Sequence, residues 1–181
     1  MLVPAICYRE ELTKKFNEIR YSDKTTWFNG CIENGPFQIV DEPSEGRFQY
    51  AIVETELTLD CQEITRVVGY LGFYVGFYDC GVWGIGLISF DDKPNVTITN
   101  AVREMIKIFK SYRLHRIEFR AIGGNPAVKK YDKILELANK SGNYAIQKIT
   151  LHDVFKDRSG LYRDSYIYEL LDISYRNLYE F

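Results

Sequence analysis

The stretch His115-Arg-Ile-Glu-Phe-Arg-Ala-Ile-Gly-Gly-Asn-Pro-Ala-Val-Lys-Lys-Tyr131 decides the fold, because it holds a strand, a break and the start of a helix in direct succession. His115, Ile117, Phe119 and Ala121 alternate with Arg116, Glu118 and Arg120, the period of two that marks a strand with one covered face. Gly123-Gly124 ends the alternation. Asn125 then suits the N-cap, where its side-chain oxygen accepts from an N–H of the first turn. Pro126 suits the first helical position, where a missing N–H costs nothing. Ala127, Val128, Tyr131, Ile134, Leu135 and Ala138 follow at helical spacing, with Lys140 in the last turn and Gly142 as the stop.

Working upstream, Ile98, Ala101, Val102, Met105, Ile108, Phe109 and Tyr112 trace one face of a second helix, with Lys107 and Lys110 near its end. Before it, Thr65 to Phe90 is rich in Val, Tyr, Phe, Ile and Gly around the turn Tyr78-Asp79-Cys80-Gly81, which predicts a long hairpin. Gly69, Gly72 and Gly76 predict bulges in it rather than a flat sheet. Phe48, Tyr50 and Ile52 alternate with Gln49, Ala51 and Val53 in a strand from Phe48 to Glu54; Phe37 to Val40 reads as another, with a loop at Asp41 to Glu45 between them. Leu12, Phe16 and Ile19 give an amphipathic helix from about Glu10 to Arg20. Downstream, Tyr144 to Leu151, a turn at Asp157-Arg158-Ser159-Gly160, and Tyr162 to Leu171 form a closing strand pair.

With 181 residues and 46% hydrophobic composition the chain can bury one substantial core, so residues 1–171 read as a single domain. Residues 172–181, with Tyr175, Leu178, Tyr179 and Phe181, are too apolar for a free tail and are expected to pack on the domain or a partner, which leaves a homodimer open. A formal charge of −2 gives no field that would draw in nucleic acid or an anionic membrane. Cys7, Cys31, Cys61 and Cys80 are widely spaced without a histidine cluster, so no metal site is expected and a reducing cytoplasm is the simplest location. No apolar run approaches the roughly 18 residues needed to span a bilayer. Asn95-Val96-Thr97 fits a glycosylation sequon, which carries no meaning without a secretion signal.

The order strand, helix, strand, Asn-capped helix and hairpin from about Val67 to Leu171 resembles the GCN5-related N-acetyltransferase (GNAT) superfamily. Gly124-Asn125-Pro126-Ala127 to Tyr131 is similar to the family's Asn…Ala…Tyr run after its fifth strand; Lys133 to Gly142 resembles its helix-ending stretch, and Asp157 to Tyr168 its terminal hairpin. The resemblance implies a mixed α+β fold: a central, mostly antiparallel sheet splayed between its fourth and fifth strands, with helices on both faces. It also implies transfer of an acetyl group from acetyl-CoA to a primary amine on a small molecule or peptide. One departure stands out. Where the family has a glycine-rich pyrophosphate loop, this chain has Asp91-Asp92-Lys93-Pro94-Asn95-Val96-Thr97-Ile98-Thr99-Asn100, with no glycine between Gly86 and Gly123. Cofactor binding is therefore expected to be weakened, resting on the helix N-terminus and the hydroxyls of Thr97 and Thr99.

By the same resemblance, Tyr131 matches the tyrosine that protonates the leaving thiolate and Asn125 the asparagine beside the pantetheine arm. Main-chain groups of Ile88, Ser89 and Phe90 match the strand that holds the acetyl and pantetheine groups. Glu118, and further off Glu54, are the carboxylates offered as general base. Lys129, Lys130 and Lys133 could meet the 3′-phosphate, and Tyr70, Tyr74 and Tyr78 could line an acceptor pocket, although a solvated helix face and strand packing are the plainer readings. His115 and His152 lack a nucleophile–acid arrangement and read as structural. Two rival readings remain: an inactive GNAT-like binding or interaction module with a degenerate pyrophosphate loop, and an RNA-binding sheet, which the lack of a basic face disfavours.

Overall fold

In the computed structural model, residues 1–20, 39, 46–57, 60–76, 81–90, 96–125, 127–156 and 160–173 are described. Along the chain run β1 (Leu2–Pro4), a single 3-10 turn (Ala5–Tyr8), α1 (Arg9–Arg20), β2 (Arg47–Leu57), β3 (Glu63–Gly76) and β4 (Gly81–Ser89). After these come α2 (Val96–Ser111), β5 (Arg116–Ile122), α3 (Ala127–Ser141), β6 (Tyr144–Lys156) and β7 (Tyr162–Asp172). The strands form one seven-stranded sheet in the order β1-β2-β3-β4-β5-β7-β6. Neighbours pair antiparallel except β4 and β5, which are parallel.

The alternation read from the sequence sorts side chains onto two covered faces of the sheet. Ile52, Val68, Leu71, Phe73, Val75 and Val82 pack with Ala101, Met105 and Phe109 of α2, whereas Ala51, Val53, Val67 and Tyr70 pack with Leu12 and Phe16 of α1. Burying a side chain such as Leu12 or Phe16 stabilises by about 1.5–3 kcal/mol, and both are almost fully enclosed. α1 therefore holds its place by packing more than by propensity. A third cluster joins Leu135 of α3 to Phe119 and Ala121 of β5 and to Tyr168 and Leu170 of β7.

The glycine-rich hairpin carries two irregularities. Ile52 pairs with Gly69 and Val53 with Val67, which leaves Val68 as the extra residue. Gly72 pairs with Gly86 and Tyr74 with Trp83, so Gly84 and Ile85 stand opposite Phe73. Gly84 has φ +62°, and a Cβ there would lie 2.9 Å from the Tyr74 ring, so glycine is required. This second bulge shifts the facing of β4: Val82 and, beyond the bulge, Ile85 and Leu87 all pack against the α2 cluster.

α2 ends with Arg113 at φ 54°, its N–H bonded to the Lys110 carbonyl and the next N–H, of Leu114, to Phe109. That is the left-handed helix stop usually given to glycine. The strand expected at Phe37 to Val40 and the loop at Asp41 to Glu45 fall outside the described residues, apart from Ile39, which is in neither helix nor strand. The same holds for Tyr78 to Cys80, Asp91 to Asn95, Pro126, Asp157 to Ser159 and residues 174–181, and for the side chains of Ile19 and Ile98.

Candidate functional site: the parting of two strands

β4 and β5 pair at Gly81–Arg116 and Val82–Ile117 and then separate, although each continues for several residues. Outer neighbours hold both strands. β4 stays paired with β3 as far as Ser89–Gly69, and β5 pairs with β7 along its whole length, from Arg116–Leu171 to Ile122–Ser165. A wedge thus opens inside the sheet, as the resemblance implied, and widens toward the C-terminal ends of two parallel strands. Each strand leads into a helix, α2 or α3, and the crevice beyond the carboxyl ends of diverging parallel strands is a general ligand-binding position.

The α3 side is built as the sequence reading expected. Asn125 Oδ1 accepts the Ala127 N–H at 2.8 Å, and the Asn125 carbonyl accepts the Val128 N–H at 3.0 Å. Gly124, at φ 92°, turns the chain, and the Gly123 N–H is held by the Asp164 carbonyl of β7 at 2.8 Å. Gly142, at φ 70°, ends the helix. One turn into α3, Tyr131 packs edge-on against Phe119 (4.7 Å between centroids, 70°) and Tyr168 (5.5 Å, 73°). Burial pushes the Tyr131 phenol above its ordinary pKa, so it keeps its proton at neutral pH.

Tyr168 lies beneath it, fully buried and stacked on Phe119 at 5.1 Å. Its hydroxyl meets no partner at hydrogen-bond geometry. Its pKa is raised, first by burial and then by the nearby Asp132 carboxylate, which Lys148 Nζ engages at 2.6 Å.

The α2 side differs from expectation. Thr97 Oγ1, expected to face a phosphate, donates to Glu54 Oε1 of β2 at 2.9 Å, and Thr99 is exposed. Ile88 of β4 and Phe90 just past it pack into the α1 cluster, Phe90 edge-on to Phe16 at 5.5 Å, while Ser89 pairs with Gly69. Glu118 does not point at Tyr131. It alternates with Phe119 and lies in a charged row, with Oε1 taking Arg120 Nε at 3.0 Å and Oε2 3.8 Å from Arg116 Nη2; Arg116 Nε in turn bonds Glu169. The structure thus brings Asn125 and Tyr131 together at the start of α3 and keeps Glu118 and Glu54 apart from them.

Of the three tyrosines weighed for an acceptor pocket, Tyr70 is buried against α1 and accepts from Gln49 Nε2 at 2.9 Å. Tyr74, four residues on, is exposed and stacks with Trp83 (6.3 Å, 11°) under the Arg47 guanidinium; Tyr78 lies outside the described residues. Trp83, the first residue of β4 past the last β5 pair, was given no role by the sequence reading. Lys129, Lys130 and Lys133 are exposed on α3, His152 is exposed with Nδ1 3.3 Å from Asp164, and His115 holds the Asp172 N–H through its carbonyl. Among the described residues no three His, Cys, Asp or Glu side chains gather as metal ligands, and no helix is long and apolar enough to cross a membrane.

Solved structures share this architecture. A protein classed in the GNAT family of acetyltransferases, from Chromobacterium violaceum ATCC 12472, superposes over 97% of this chain and 88% of its own at TM-score 0.53 and 15% identity. This chain has the GNAT fold. The microcin C7 self-immunity acetyltransferase MccE, solved with acetyl-CoA and AMP, shares the GNAT arrangement over 94% of this chain and 91% of its own (TM-score 0.54, 17% identity). So does the ribosomal-protein-alanine N-acetyltransferase of Brucella melitensis, over 90% and 93% (TM-score 0.53, 13% identity). Compared by sequence alone, the chain matches no family model and no curated protein. At these identities the GNAT likeness is one of backbone architecture, and the chemistry must be argued from the residues.

Proposed function

We propose that the protein is a divergent GNAT acyltransferase that takes an acetyl group from acetyl-CoA to a primary amine. The observation that carries this reading is the wedge: two parallel strands that pair at two positions and then part, each leading into a helix, inside a sheet otherwise paired on both sides. A pantetheine arm is narrow and carries amides along its length, so it suits an opening of this kind, where strand main chain can bond it. Asn125 at the start of α3 would stand beside that arm, and main-chain groups of Ile88 to Phe90 would line the opposite wall.

In the direct mechanism the amine attacks the thioester carbonyl, the carbonyl oxygen takes on negative charge, and the thiolate leaves. A half-buried, protonated Tyr131 supplies a hydrogen-bond donor for that sulfur. The proton of the attacking amine needs an acceptor; Glu118 of β5, the carboxylate expected to take it, would have to leave Arg116 and Arg120 and turn toward Tyr131 to do so. Exposed free thiols at Cys7 and Cys61 accord with a reducing, cytoplasmic setting.

The test is thermal unfolding with and without acetyl-CoA. If cofactor is added at about a hundred times its dissociation constant, linkage stabilises the fold by about 2.7 kcal/mol and raises the midpoint by several degrees. An unchanged midpoint at millimolar acetyl-CoA would overturn the enzyme reading and favour a binding module of the same fold.

A further inference from the structure

Three elements meet at the carboxylate of Glu54. Thr97, in the first turn of α2, donates to Oε1 at 2.9 Å; Arg66 of β3 donates to Oε2 through Nη2 at 2.7 Å, and its Nε lies 3.7 Å from Glu56 Oε1. Phe90, just past β4, donates its N–H to the carbonyl of Val68, two residues along β3 from Arg66. The Glu54 carboxylate therefore stands beyond the end of β4, beside the first turn of the helix that follows it. In the acyl-CoA reading this is the side of the wedge toward which the cofactor's pyrophosphate turns.

We infer that Glu54 is a built-in competitor for the cofactor's phosphates, and thereby the residue that sets donor affinity. This rests on the acyl-CoA reading. The segment between β4 and α2 lacks the glycines that would bring bare N–H groups to a pyrophosphate and carries Asp91 and Asp92 instead, so phosphate recognition falls to what the start of α2 and its neighbours offer. Thr97 and Arg66 are the donor and the cation there, and both already serve a carboxylate of the protein itself. Two anions cannot share that environment without repulsion. Cofactor binding must then move Arg66 from Glu54 to a phosphate and leave Glu54 beside it. Acetylated donors without phosphates escape this penalty.

Glu54→Gln tests the inference, because the amide keeps an oxygen for Thr97 and removes the charge. The Glu54–Arg66 pair is partly solvent-accessible, at 28% and 47% side-chain exposure, so its loss should change the unliganded midpoint only slightly. Calorimetric titration with acetyl-CoA and with S-acetylpantetheine, which has no phosphate, reads the result. The expected outcome is binding of acetyl-CoA about tenfold tighter in Glu54→Gln, equivalent to 1.4 kcal/mol, with S-acetylpantetheine unaffected. Arg66→Gln should weaken acetyl-CoA and spare S-acetylpantetheine, which keeps the test open if Glu54→Gln folds poorly. If the wild type binds acetyl-CoA and Glu54→Gln binds it equally or more weakly, the inference is overturned while the acyltransferase reading stands. If neither protein binds acetyl-CoA, that reading falls and takes the inference with it.

Discussion

At the scale of single residues, the proposed chemistry falls mostly on Tyr131. Its position on α3 followed from helical spacing after Asn125, but its surroundings did not. The rings of Phe119 and Tyr168 meet it from a strand and from the closing hairpin, and together they bury it enough to hold its proton. Tyr131→Phe keeps those ring contacts and removes the hydroxyl. Turnover should fall by about a hundredfold or more, the usual contribution of a positioned acid, while acetyl-CoA still raises the midpoint. Unchanged turnover would remove Tyr131 from the mechanism. Glu118 shows the opposite lesson: alternation along β5 made its facing readable, but not that Arg116 and Arg120 would engage it.

At the scale of elements, the Asn125 cap joins strand to helix at the wedge. A cap and a cofactor ligand make different demands, and substitution separates them. Asn125→Ala should destabilise the fold by about 0.5–2 kcal/mol in urea unfolding, because the Ala127 N–H loses its acceptor. Asn125→Ser retains a cap and should restore most of that stability. If Asn125 also serves the pantetheine arm, the serine variant will still bind acetyl-CoA more weakly; wild-type affinity in that variant would leave Asn125 a cap alone. The bulge at Gly84 is the other element-scale device, since it turns Ile85 and Leu87 toward α2. Glycines in the sequence announced an irregular hairpin, but which of them would bulge depended on pairing with β3.

At the scale of the whole molecule, three tyrosines among the described residues, Tyr50 of β2, Tyr131 of α3 and Tyr168 of β7, have phenols held above their ordinary pKa of 10.0, each chiefly by burial. The unfolded chain releases those protons near pH 10 and the folded one only at higher pH. Their contribution to stability is therefore complete below about pH 10 and is lost as pH rises through the folded values. Urea midpoints should be flat with respect to these groups from pH 7 to 9 and fall above pH 10, with absorbance of phenolate at 295 nm appearing alongside unfolding. Tyr168→Phe removes a buried hydroxyl that lies near the Asp132 carboxylate without meeting it at hydrogen-bond geometry, so it should cost little at pH 7 and make the alkaline fall shallower. An equally steep fall in that variant would place the alkaline sensitivity elsewhere.

Local order was written in the sequence. Period-two alternation in β2 and β5, helical stripes in α1, α2 and α3, the Asn125 cap and the Gly142 stop all follow from rules that act over a few residues, so they needed no knowledge of neighbours in space. Partnership was not. That β4 and β5 would part after Val82–Ile117, that Thr97 would turn to a carboxylate 43 residues away, and that Tyr168 would lie under Tyr131 are contacts between segments distant in the chain. No spacing within one segment encodes such contacts; they arise when the sheet, fixed at its outer strands, settles which side chains share each face.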